Sequence, residues 1–283
     1  MTVTRFAPSP SGHLHLGHAY SALFAEAITR ARGGRFLLRI EDIDAGRCRP
    51  EFEEAIYQDL AWLGLRWEEP VRRQSENFAD YQSALDRLDA QDLLYPCFCT
   101  RKQIRAEIAD SPSAPHGPDG PVYPGTCRGL SAAEQRARAD AGDGFALRLK
   151  TDRAAALARG NLGDAFAFHD RERGEVPCDP SPFGDVVLAR KDVPTSYHLA
   201  VTVDDALQGV TLVTRGADLF EATHVQRLLQ VLLGLPAPHY HHHRLITDDA
   251  GKRLATRDKA ASLRSLRAEG ATPLSIRQRL GFD

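Results

Sequence analysis

Residues 5–18 read RFAPSPSGHLHLGH, and this run constrains the fold more than any other part of the chain. A short apolar lead around Val3 and Phe6 meets Pro8, Pro10 and Gly12, which end a strand and force a turn. A helix-compatible stretch from Ala19 to Ala31 follows, opened by His15, Leu16, Gly17 and His18. Strand, Gly/Pro turn and helix start bring backbone N–H groups, the positive end of a helix dipole and two imidazoles to one place. Such an arrangement suits a polyphosphate. His-x-Gly-His alone is equally consistent with two surface histidines.

The 283 residues are enough for one large domain or two smaller ones, and 42% hydrophobic with 26% charged residues is ordinary for a soluble enzyme. No apolar run reaches the ~20 residues that span a bilayer. Arg5, Pro8 and Pro10 near the N-terminus do not form a secretory leader. Five cysteines without a disulfide-like framework point to a reducing cytoplasm. The net charge of −2 does not itself indicate nucleic acid, yet Arg244–Asp283 carries nine Lys/Arg against five Asp/Glu. That basic end suits either a phosphate backbone or a solvated helix face.

RFLLRI, residues 35–40, reads as a second strand, so residues 2–40 form a strand–helix–strand crossover of a parallel sheet. The apolar spacing of Phe52, Ala55, Ile56, Leu60 and Leu63 predicts a helix over Pro50–Leu63, and another is predicted over Phe78–Leu94. Residues 95–127 then turn Pro/Gly/Ser-rich, with cysteines near both ends. A helix at 131–141 and strands at 145–149 and 184–190 are expected next. Tyr197 onward reads as a helix, a tight turn and a strand Val210–Thr214, and Leu219–Leu233 as an amphipathic helix. The alternation predicts a doubly wound, Rossmann-type α/β sheet interrupted by an insertion. The expected division is 1–94 and 184–247 for the halves of the catalytic domain, 95–183 for the insertion with a metal subsite at 95–127, and 248–283 for a basic loop and short helical tail.

Cys97, Cys99 and Cys127 offer three soft ligands, two from one short turn, which fits Zn²⁺ as well as it fits three buried thiols. Glu41-Asp42-Ile43-Asp44 stands at the end of the second strand, where ligands of open α/β sheets bind. In the run His239–His243 only residues 239, 241 and 243 share a strand face. With no carboxylate or cysteine beside them in sequence, a surface or RNA-facing role is expected.

With PSPSG before it, HLGH resembles the HIGH signature of class I aminoacyl-tRNA synthetases, specifically their glutamyl/glutaminyl branch. The resemblance implies ATP, as its Mg²⁺ complex, bound at His15, Gly17 and His18, with the two histidines as catalytic residues. It further implies glutamate bound by Arg5, Phe6, Ala7, Pro8, Ser9, Glu41, Tyr197 and Arg215. Glu41 matches the glutamate of an RxED motif, and two arginines suit a substrate with two carboxylates. Residues Arg253, Leu254, Ala255, Thr256 and Arg257 resemble the KLSKR form of the second ATP-binding signature, with Thr256 where a lysine is expected.

Cys97, Cys99, Tyr123 and Cys127 match the zinc pattern of the branch's small glutamyl-queuosine tRNA(Asp) synthetases, implying one structural Zn²⁺. After Arg257 only 26 residues remain, fewer than the ~50 a separate anticodon-reading domain would need. The resemblance thus implies a monomeric cytoplasmic enzyme that activates glutamate and transfers it to queuosine in tRNA(Asp). A truncated enzyme charging tRNA(Glu), or a weakly active tRNA-binding paralogue, is the competing expectation.

Overall fold

The computed structural model of the protein describes residues 1–109, 116–118, 120–247 and 261–282. Strand β1 (Val3–Phe6) is followed by α1 (Leu16–Ala31), β2 (Arg35–Ile40), α2 (Pro50–Trp62) and β3 (Glu68–Arg73). β1, β2 and β3 pair in parallel, as the strand–helix–strand pattern requires. α3 (Phe78–Asp89) is shorter than predicted. The chain leaves the helix through Asp92, at φ 54°, and Leu94–Cys97 becomes strand β4.

The middle of the chain contains α4 (Arg101–Ala109), the short strands β5 (His116–Gly117) and β6 (Gly120–Pro121), and α5 (Ala132–Asp140). It continues through β7 (Ala146–Leu149), α6 (Thr151–Leu162), β8 (Ala167–Asp170), β9 (Gly174–Pro177) and β10 (Val187–Ala189). These strands serve two sheets. β4, β7 and β10 make a small antiparallel sheet, whereas β8 carries β9 onto the edge of the main one.

The second half supplies α7 (Tyr197–Leu207), β11 (Leu212–Gly216), α8 (Ala222–Leu232) and β12 (His239–His243). β11, β12 and β8 are parallel neighbours. The two half-sheets meet where Thr211 N–H donates to the Val3 carbonyl at 3.0 Å and Val3 N–H to Thr211 Oγ1 at 2.9 Å. The resulting architecture is the doubly wound α/β sheet expected from the alternation. Helices α9 (Leu263–Ala268) and α10 (Pro273–Leu280) close the chain, and their Leu263, Ile276 and Leu280 are buried with Leu14, Leu23 and Ile56 of the first half.

Strand alternation divides the side chains between two faces. Thr4 turns towards α1, bonding Thr29 Oγ1 and the Ala25 carbonyl, while Val3, Leu37, Val213 and Tyr240 share a core on the opposite face. The face opposite α1 therefore also receives Arg5, Arg39, Arg215 and His242. Among the described residues no helix is long and apolar enough to cross a membrane.

Gly34 joins α1 to β2 at a close approach: a Cβ there would lie 2.1 Å from the Thr2 carbonyl oxygen. Gly34→Ala is expected to push β1 and β2 apart and to cost about 1–3 kcal/mol, read as a lower urea midpoint.

Candidate active site

Parallel strands bring the C-terminal ends of β1, β2, β11 and β12 to one edge, and the expected site residues sit there. Arg5 is 5% exposed; its Nε and Nη2 donate to Asp205 Oδ1 and Oδ2 at 2.9 and 3.3 Å, and its Nη1 to the Thr214 carbonyl at 3.2 Å. Arg39, wholly buried, donates to Asp205 Oδ1 at 2.7 Å and to Glu41 Oε1 at 3.0 Å. Burial works against the Asp205 carboxylate, but Arg5 and Arg39 outweigh it and hold its pKa down at about 2. Burial pushes Glu41 upward, and the same two arginines offset part of that rise.

The neighbouring Asp204 accepts from Arg72 Nε at 2.7 Å, Gln74 Nε2 at 2.8 Å and the Tyr81 hydroxyl. The adjacent acids of α7 thus bind the first half of the chain at two points. Arg39, Asp204 and Asp205 were not singled out from the sequence. Their signal is present: a charge inside the apolar strand RFLLRI and two acids in the apolar segment YHLAVTVDDAL.

At the start of α1, His15 is the N-cap, accepting from Gly17 N–H at Nδ1 (3.1 Å), while His18 Nδ1 accepts from His15 N–H (3.2 Å). The rings stack at 3.8 Å. Because Nδ1 is the acceptor in both, each neutral ring carries its proton on Nε2. A Cβ on Gly17 would come within 3.0 Å of the His15 ring. The proline loop is held against the β2–α2 connection by Glu41 N–H to the Pro8 carbonyl and Arg49 N–H to the Pro10 carbonyl.

Arg215 donates from Nε to His242 Nε2 at 3.0 Å and from Nη2 to Thr223 Oγ1 at 2.7 Å; its Nη1 is buried without a hydrogen-bond partner. His242 Nδ1 lies 2.7 Å from Asp170 Oδ2. Burial, reinforced by Arg215, lowers the His242 pKa to about 4 despite the nearby carboxylate.

A cleft of about 1050 Å³ gathers these groups: Arg5, Phe6, Ala7, Pro8, Ser9, His15, Gly17, His18, Glu41, Tyr197 and Arg215 all line it. Arg253, Leu254, Ala255, Thr256 and Arg257 lie outside the described residues. Four arginines (5, 47, 215 and 244) and two acids (Glu41 and Asp218) line the cleft, an excess of positive charge suited to an anionic ligand.

The histidine strand departs from expectation. Residues 241 and 243 do face one way, but α1 covers them: His241 packs edge-on to Phe24, and His243 to Tyr20. His243 is 6% exposed and bonds Ser21, and Glu172, distant in sequence, supplies His241 with a carboxylate at 2.8 Å. The covering helix, invisible to strand periodicity, buries His243 and half-buries His241, whereas His239 is exposed as expected.

Beside the cleft, the sulfurs of Cys97, Cys99 and Cys127 lie within 4.8 Å of one another. The Tyr123 hydroxyl is 3.6 Å from Cys99 Sγ and accepts from Cys127 N–H at 2.8 Å. All five cysteines are unbridged, and Cys48 and Cys178 stand outside the cluster. Burial pushes the Cys99 thiol up to about 11. Burial also opposes a Cys127 thiolate, but the Phe98 N–H and the Tyr123 hydroxyl outweigh it and lower that pKa. Three converging sulfurs on a small buried platform fit a metal of Zn²⁺ type, whose bonds to sulfur are ~2.3 Å.

The family "tRNA synthetases class I (E and Q), catalytic domain" matches residues 1–282. The chain belongs to this family. It is 52% identical to a Glutamyl-Q tRNA(Asp) synthetase of Rhodobacter capsulatus, over 99% of this chain and 100% of that one. A second, from Symbiobacterium thermophilum, is 44% identical over 100% of this chain and 86% of its own length. These relatives place it among the glutamyl-Q tRNA(Asp) synthetases of the class I tRNA synthetase family. A solved glutamate tRNA ligase from Elizabethkingia meningosepticum, in complex with its amino acid, superposes with a TM-score of 0.75 at 28% identity. The match covers 91% of this chain and 52% of that one, so the chain spans about half of that ligase.

The His242 environment sets a pH signature for this member of the family. An unfolded histidine takes up its proton near pH 6.5 but the folded ring only near 4, so the unfolded state binds more protons between these values. The contribution is complete above pH 6.5 and is lost as pH falls through 4. It amounts to on the order of 3 kcal/mol. Urea midpoints measured from pH 7 to pH 4 should show this slope in the native protein and a shallower one in His242→Gln.

Proposed function

We propose that the cleft activates L-glutamate with ATP and transfers it to the queuosine base in the anticodon loop of tRNA(Asp). The observation that carries this reading is the convergence of both motif histidines, Arg5, Arg215, Glu41 and Tyr197 on one cleft. Family membership and full-length similarity to glutamyl-Q tRNA(Asp) synthetases support the choice of amino acid and acceptor.

In the first step a glutamate α-carboxylate oxygen bonds to the α-phosphorus of ATP and pyrophosphate leaves. The nucleophile is already an anion, so no general base is needed; alignment and charge stabilisation supply the catalysis. His15 and His18 donate from Nε2 to phosphate oxygens, and the start of α1 adds its dipole. Glu41 receives the ammonium group, whose charge counters the upward pull of burial on that carboxyl. Arg215 presents Nη1 to a substrate carboxylate, Arg5 adds its buried positive charge, and Tyr197 closes the side of the pocket. In the second step a hydroxyl of the queuosine cyclopentene-diol attacks the acyl carbon and AMP leaves.

ATP would enter as its Mg²⁺ complex, and Arg253–Arg257 are assigned to it on their sequence resemblance to the second ATP-binding signature alone. Cys97, Cys99, Cys127 and Tyr123 would hold one structural Zn²⁺, cross-linking β4 to the loop at residues 123–127. The protein acts as a monomer in the cytoplasm.

Labelled glutamate should pass to tRNA(Asp) carrying queuosine and not to tRNA(Asp) lacking it; equal charging of unmodified tRNA(Glu) would refute the acceptor. Arg5→Ala is expected to lower kcat/KM for glutamate by ~100-fold or more in pyrophosphate exchange, as loss of a charged contact implies. Cys127→Ser should reduce bound zinc, measured by elemental analysis, from one equivalent to well below one and lower the Tm. Retained zinc with an unchanged melting curve would remove the metal from the account.

A further inference from the structure

Three strands of the main sheet place a buried array directly behind Arg215. In the β11–β12 register Arg215 stands opposite His242, and in the β12–β8 register Tyr240 stands opposite Asp170. A guanidinium has donors only, so the 3.0 Å contact from Arg215 Nε requires a lone pair on His242 Nε2. The proton of the neutral ring then sits on Nδ1 and is donated to Asp170 Oδ2 at 2.7 Å. Asp170 is itself fixed, because its Oδ1 accepts the backbone N–H groups of Glu172 and Arg173 at 3.0 and 3.2 Å.

His242 and Thr223 together occupy the Nε–Nη2 edge of the guanidinium. The corner left over, Nη1, is buried and unpartnered on a residue that lines the cleft. A charged donor withheld from water needs an acceptor, which a ligand carboxylate supplies.

We propose that His242 and Asp170 are positioning residues for Arg215, a relay that fixes the imidazole tautomer and so aims Nη1 at a carboxylate of the substrate. This inference rests on reading the cleft as a glutamate site. Neither residue touches substrate; each acts through the next. A proton on Nε2 would set donor against donor and turn the guanidinium out of its aim. Burial and the adjacent arginine act against that protonation. Two substitutions separate this role from simple packing. Asp170 Oδ2 also accepts the His242 backbone N–H at 3.3 Å; in Asp170→Asn, with the amide oxygen kept on Glu172 and Arg173, the N–H₂ faces that N–H and Nδ1 and forces the ring proton onto Nε2. In His242→Gln the side-chain oxygen still accepts from Arg215, whereas His242→Leu offers no acceptor.

The test is glutamate-dependent pyrophosphate exchange, with queuosine-bearing tRNA(Asp) present, together with ¹⁵N NMR of the His242 ring in the native protein. Asp170→Asn and His242→Leu should raise KM for glutamate about tenfold or more while KM for ATP holds and kcat stays within about threefold. His242→Gln should recover most of the loss. The native ring should show a bare Nε2 at pH 7. An unchanged glutamate KM in both impaired variants would overturn the proposal, as would parallel loss for both substrates, no recovery in His242→Gln, or a protonated Nε2. The ring tautomer is read in the native protein, so a variant that does not fold leaves that criterion in place. Native protein that exchanges nothing refutes the activity itself, a different failure from that of the relay.

Discussion

The active-site edge depends on a knot of buried charge: Arg5 and Arg39, from two strands of the first half, share the carboxylate of Asp205 from the second. Charges removed from water are tolerated only when compensated, and breaking such a pair by removing one partner costs about 3–5 kcal/mol. Asp204 extends the knot to Arg72 and Gln74, so two consecutive acids on one helix reach β1, β2, β3 and the segment after it. One set of ion pairs therefore joins the halves of the sheet at the floor of the cleft.

Legibility in the sequence followed locality. The turn at Pro8–Gly12, the parallel crossover and the cluster of Cys97, Cys99 and Cys127 all rest on short-range pattern, and they stand in the structure as the pattern implies. Glu41 was legible at a strand end of an open sheet, whereas Arg5 and Arg215 were singled out through the resemblance; all three line one cleft. Arg39, Asp205 and Asp170 were not, because each has meaning only through a partner far along the chain. His242 shows the limit most clearly. Period-two alternation separates it from His241 and His243, yet only the helices packed on either side decide that His242 on one face and His243 on the other are both buried.

Residues 95–183 show how an apparent insertion can be divided. β4 and β7 build a small antiparallel sheet with β10, whose residues come later in the chain, and this sheet presents the cysteines beside the cleft. β8 and β9 instead extend the main sheet, and Asp170 at the end of β8 stands behind the arginine of β11. Part of the stretch that reads as peripheral thus supports the centre.

The seam between β1 and β11 also governs when the cleft can exist. Val3 and Thr211 are 208 residues apart and Arg5 and Asp205 are 200 apart, so the floor is closed by some of the longest-range contacts in the chain. Closing loops of that length is entropically costly and slow compared with forming the local helices. During synthesis β1 emerges long before its partner strand, and until α7 and β11 are made its Arg5 has neither the Asp205 carboxylate nor the Thr214 carbonyl to hold it. The Pro8–Gly12 turn is among the first segments made, yet the cleft it lines cannot close before strands from the last third of the chain arrive.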